Sequence, residues 1–130
     1  SRRISKIKFI LPQTVKNYKW EAEKMATNLW TLPPDRGEET VQVLHQSQRV
    51  RVEKIVSYGQ ASPEGFWYDQ PEDEWVSVLE GSAVLRAGEQ LVHLSRGESF
   101  FLPAHLRHRV EKTSSPCIWL CVFEAGEELP

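Results

Sequence analysis

The chain has 130 residues, of which 40% are hydrophobic and 26% charged, with a net charge of −2. That balance suits one globular domain and excludes disordered, collagen-like and low-complexity chains. No apolar run nears the ~18–20 residues of a membrane span, and the acidic body that follows the basic first 24 residues argues against wrapping nucleic acid.

At the start, Arg2, Arg3, Lys6 and Lys8 flank a short apolar stretch that stops at Pro12. This reads as a solvated basic leader with an edge strand over 7–11, not as a secretion signal. Trp20, Met25, Leu29 and Trp30 are spaced for a short helix within 18–30. Leu32-Pro33-Pro34-Asp35-Arg36-Gly37 is a break. The predicted organisation is an extension over 1–39, a compact body over 40–126 and a tail over 127–130.

Strand signals then dominate. Apolar or β-branched runs predict strands over 41–44, 50–58, 66–68, 74–79, 83–85, 91–94, 99–103, 108–111 and 117–123. Residues 59–65 read as a loop, and Glu72-Asp73 as part of a solvated acidic bend. Short strands with turn signals every 8–12 residues imply an all-β sandwich or barrel. Cys117 and Cys121 share one face of a predicted strand, ~13 Å apart and too far to bridge. Buried reduced thiols fit a cytoplasmic location. Unpaired strand edges are a liability that pairing with a second copy removes, so a homodimer is expected.

Strand parity also places two polar residues. Glu74 alternates with Val76 and Val78, and His108 with Val110, so both are predicted to face the apolar interior. A carboxylate there is costly unless it is paired, protonated or bound to a cation. The competing structural readings pair Glu74 with Arg107 or Arg109, and tie His108 to a backbone carbonyl.

Two segments, 65–81 and 97–108, carry a family pattern. Glu74 is followed by Gly81 across six residues, and Gly97, Pro103 and His108 recur at the spacings of a second motif. The chain resembles the cupin superfamily over roughly 50–123, which implies an all-β, cupin-type jelly-roll β-barrel with a short N-terminal helical or irregular extension. The family's first motif supplies two metal-binding histidines before its Glu, and none is present here. With a three-residue gap those positions are Tyr68 and Gln70, and with a four-residue gap they are Trp67 and Asp69. Of these only Asp69 is a good hard-metal ligand. The glycine of the second motif is replaced by His105.

The resemblance implies a small-molecule ligand and a divalent metal (Zn, Mn, Fe or Ni) held by Asp69, Glu74 and His108. Tyr68 and His105 are the candidate catalytic residues for moving a proton. The alternative is a metal-free binding or sensing module, which loss of both motif histidines favours. The direction of Asp69 separates the two, because an outward Asp69 leaves only two convergent ligands.

Overall fold

The computed structural model describes residues 26–126. The predicted strand over 7–11 and most of the predicted helix within 18–30 lie outside these residues. The described end of that helix is a turn at Leu29-Trp30, where the Trp30 N–H donates to Asn28 Oδ1 at 2.8 Å. No helix among the described residues is long and apolar enough to cross a membrane.

The fold is all-β. Eight strands follow in chain order: β1 (Thr40–Gln46), β2 (Val50–Ser57), β3 (Asp73–Glu80), β4 (Ser82–Ala87), β5 (Gln90–Ser95), β6 (Ser99–Leu102), β7 (His108–Thr113) and β8 (Cys117–Glu124). They form a five-stranded sheet, β1-β2-β8-β3-β6, and a three-stranded sheet, β5-β4-β7. Every pairing is antiparallel. The two sheets share a core that includes Ile55, Val76, Val78, Leu85, Leu102, Val110 and Trp119, the arrangement of a jelly-roll barrel.

Alternation along β3 sorts its side chains. Glu74, Val76 and Val78 are buried, with Phe123, Cys121 and Trp119 opposite them on β8. Trp75 faces the other way and pairs with Phe101 across β6. Both of these aromatics are exposed on the outer face, although aromatic residues at such positions are core by default. Cys117 and Cys121 are buried on β8 and form no disulfide.

The turn from β3 to β4 needs glycine at position 81. Its φ is +86°, and a Cβ there would lie 2.3 Å from Ser114 Oγ and 2.5 Å from the Pro116 carbonyl oxygen. Before β1, residues 26–33 are tied to the outer face of the larger sheet. Lys54 donates to the Thr31 carbonyl and the Tyr58 hydroxyl donates to the Pro33 carbonyl.

Two local expectations are corrected. Phe66-Trp67-Tyr68 is not a strand, since only Tyr68 pairs, in an isolated bridge to His108. The bend before β3 is not simply solvated. Glu72 takes an ion pair from Arg51 at 2.9 Å, and Asp73 Oδ1 accepts the Ala104 N–H at 2.8 Å.

Candidate functional site

Four polar side chains come together inside the barrel. Glu74 is the second residue of β3, and His108 opens β7, opposite Ala87 of β4. Tyr68 and Gln70 come from the segment preceding β3. The Tyr68 N–H donates to the His108 carbonyl at 2.7 Å, and the His108 N–H returns the bond at 3.1 Å. This bridge puts both side chains on one side, where their rings stack with centroids 5.2 Å apart. Alternation then sends Asp69 outward and Gln70 inward. Tyr68, Gln70, Glu74 and His108 are 4%, 3%, 1% and 2% exposed.

The polar contacts inside this group are directional. Gln70 Nε2 donates to Glu74 Oε1 at 3.0 Å. His108 Nδ1 lies 2.9 Å from the Leu106 carbonyl oxygen. A carbonyl only accepts, so Nδ1 carries the proton, and in the neutral ring Nε2 keeps the lone pair. Nε2 faces Glu74 Oε1 at 3.8 Å. Gln70 Oε1 is buried and accepts no hydrogen bond. The amide cannot simply be reversed, because its oxygen would then meet the Glu74 carboxylate.

Asp69 and His105 stand apart from this group. Asp69 Oδ1 lies 2.7 Å from His105 Nδ1, and their side chains are 54% and 68% exposed. The Asp69, Glu74, His108 set expected from the sequence therefore does not converge. Parity is the reason, since with Tyr68 and Gln70 both turned inward the residue between them must face out. His105 likewise lies outside the interior, where its backbone N–H donates to the Gln70 carbonyl at 2.7 Å. Its φ of 65° is left-handed, the conformation that explains a glycine at this motif position. His108 does bond a backbone carbonyl, as one reading expected. Glu74 does not pair with Arg107 or Arg109. Arg109 binds Glu111 at 3.0 Å and donates to the Ser62, Pro63 and Phe66 carbonyls.

Sequence reasoning missed a second buried charge cluster. Glu53 is fully enclosed and lies 2.6 Å from the Arg51 guanidinium, which also pairs with Glu72 and stacks 4.2 Å above the Phe123 ring. Burial pulls the Arg51 guanidinium down, but its contacts with Glu72 and Glu53 outweigh this and leave it raised. The available signal was Glu53 sharing parity with Ile55, and it was masked because Arg51 and Ser57 on the same face of β2 make that face read as polar.

A divalent metal is the group the fold implies, and the donors do not fit it. Two of the four interior positions hold the neutral Tyr68 and Gln70. The Gln70 amide presents an N–H, not an oxygen, to Glu74 Oε1. Among the described residues no group of three or more His, Cys, Asp and Glu could hold a metal ion.

Comparison with known proteins agrees with this architecture. A crystal structure from Ralstonia eutropha JMP134, provisionally named a mannose-6-phosphate isomerase, is 39% identical with a TM-score of 0.75, over 78% of this chain and 98% of that one. A cupin superfamily protein from Desulfitobacterium hafniense DCB-2 is 19% identical with a TM-score of 0.65, over 73% and 84%. An RmlC-like cupin from Shewanella frigidimarina NCIMB 400 is 20% identical with a TM-score of 0.63, over 85% and 93%. A search of curated proteins found no match. The family model described as cupin domain matches residues 55–123, more than half of the chain. With the two motifs and the two-sheet barrel in place, the chain belongs to the cupin family.

Proposed function

We propose that this protein is a small-molecule-binding cupin whose buried centre, Tyr68, Gln70, Glu74 and His108, works through hydrogen bonds rather than through a resident metal. The contact that carries this reading is the Gln70 amide on Glu74 Oε1, with Asp69 turned outward to His105. A buried carboxylate needs compensation, and the Gln70 amide N–H supplies part of it. No reaction class is assigned. The name of the Ralstonia protein concerns a sugar phosphate, which supports a polyhydroxylated ligand class for this chain as well.

The test is metal content by elemental analysis after gentle purification, followed by thermal melts with Zn²⁺, Mn²⁺, Fe²⁺ and Ni²⁺ added in turn. Less than stoichiometric metal and an unmoved Tm are expected. Stoichiometric metal that disappears in Glu74→Ala or His108→Ala would overturn the metal-free reading.

The proposal includes a cytoplasmic homodimer with no nucleic-acid or membrane partner, and a barrel over 40–126 between an extension and a tail. Two buried cysteines that form no disulfide support the compartment. The exposed Trp75–Phe101 pair on the larger sheet supports the dimer. Light scattering that gives a single-chain mass at micromolar concentration would remove the dimer from it.

A further inference from the structure

We infer that a cavity on the outer face of the larger sheet, between β1, β2 and residues 26–33, binds a small, singly charged organic acid, with its carboxylate on Lys54 and its apolar body against Pro33 and Val56. None of the described residues lining this cavity belongs to the Tyr68, Gln70, Glu74, His108 group, so the inference is independent of the reading given to that centre.

Strand parity builds the cavity. Ile55 of β2 enters the core, so Lys54 and Val56 on either side of it face outward. Both are nonetheless enclosed, Lys54 at 6% and Val56 at 1% exposed. The segment before β1 comes over them, tied by Lys54 to the Thr31 carbonyl and by the Tyr58 hydroxyl to the Pro33 carbonyl. A space of about 480 Å³ remains, with Thr27, Asn28, Pro33, Gln42, Lys54 and Val56 on its wall. Small-molecule sites occupy roughly 300–1,000 Å³.

Lys54 is the decisive residue. An ammonium carries three donors, and the neutral Thr31 carbonyl takes one of them. Its cross-strand neighbours, Gln42 on β1 and Leu120 on β8, are uncharged. No carboxylate is among the described residues that line the cavity. Other cations of the barrel are matched, Arg51 with Glu53 and Glu72, and Arg86 and Arg109 with Glu111. An enclosed ammonium without an opposing charge is costly, and an anion in the cavity removes that cost. Burial also holds this ammonium below its ordinary value of 10.5, as expected where no carboxylate offsets it.

The rest of the wall narrows the class. Asn28 Oδ1 already accepts the Trp30 N–H, which leaves the Asn28 amide nitrogen to donate. The Gln42 amide and the Thr27 hydroxyl are further donors. One cation balances one negative charge, so a carboxylate is matched, whereas a phosphate dianion keeps a surplus charge in a water-poor space. Pro33 and Val56 supply the apolar surface for an organic body.

The experiment titrates the full chain, labelled with ¹³C-lysine, with benzoate, phenyl phosphate (largely a dianion at neutral pH) and benzyl alcohol, following the Lys54 Cε resonance by NMR. Benzoate is expected to move that resonance and to raise the pH at which it titrates, with a Kd at least about tenfold below those of the other two. Lys54→Met keeps the stem without the charge and should abolish the preference for benzoate over benzyl alcohol. If that variant does not fold, the wild-type ratio of the two affinities still decides. Tighter binding of phenyl phosphate would overturn the singly charged class. Equal affinity for benzoate and benzyl alcohol, or a Lys54 resonance unmoved by benzoate, would overturn the site.

Discussion

His108 Nε2 lies 3.8 Å from Glu74 Oε1, and both side chains are almost wholly enclosed. That is too long for a direct hydrogen bond, while the Gln70 amide reaches the same oxygen at 3.0 Å. The carboxylate is thus held by an amide and faced by an imidazole.

Removing this carboxylate should be expensive and neutralising it mild. Glu74→Ala leaves the Gln70 amide N–H without its acceptor and a gap beside the His108 ring, and should cost about 3 kcal/mol. Glu74→Gln keeps the shape and one acceptor, and should cost about 1 kcal/mol. Urea denaturation measures both. Equal costs would show that the charge, which both substitutions remove, carries the stabilisation, against this expectation.

The Asp69–His105 pair is exposed, so its attraction is worth little. Asp69→Ala should cost less than about 1 kcal/mol. The backbone at position 105 matters more, because φ is 65°. His105→Gly should stay within about 1 kcal/mol of the parent, since relief of the left-handed conformation offsets the lost pair. His105→Val should be destabilised by about 2 kcal/mol, as a β-branched residue resists that region. Thermal melts that rank Val above Gly would contradict this.

Arg51 and Glu53 form a tighter unit. Arg51→Met withdraws the guanidinium from a fully enclosed carboxylate and should cost about 3–5 kcal/mol. Arg51→Met combined with Glu53→Met should recover most of that loss. A double-mutant cycle with no coupling between the two positions would refute the dependence.

Lys54 gives a pH dependence. Burial holds its ammonium below the ordinary value of 10.5. The unfolded chain therefore binds this proton more tightly than the folded one. The burden is fully present below the folded value, eases as pH rises through the window up to 10.5, and is gone above it. Stability of the parent relative to Lys54→Met should rise with pH across that window, as read from urea midpoints. A difference independent of pH would show that the buried ammonium is not the cause.

Much of the barrel was legible from residue order. β-Branched runs and turn residues located the eight strands, because a two-residue repeat and a tight turn are local properties. The same repeat turned Glu74 and His108 inward, alongside Val76 and Val110. The segment before β3 was not legible. Residues 66–70 carry aromatic and polar residues at both parities, so pattern alone did not choose between Tyr68/Gln70 and Trp67/Asp69, and ligand chemistry favoured Asp69, which the structure turns outward. The outward positions of Trp75 and Phe101 follow parity but defy the expectation that large aromatics fill cores.

Residue order by itself therefore determined the family, the strands and which acid and imidazole enter the interior. Only the tertiary structure decided their company: the bridge between Tyr68 and His108 sets the register of an otherwise unpaired segment. A shift of one residue in that register would exchange Gln70 for Asp69. Such a bridge joins residues 40 positions apart in the chain, so its register depends on how the sheets close, a long-range contact that local periodicity does not encode.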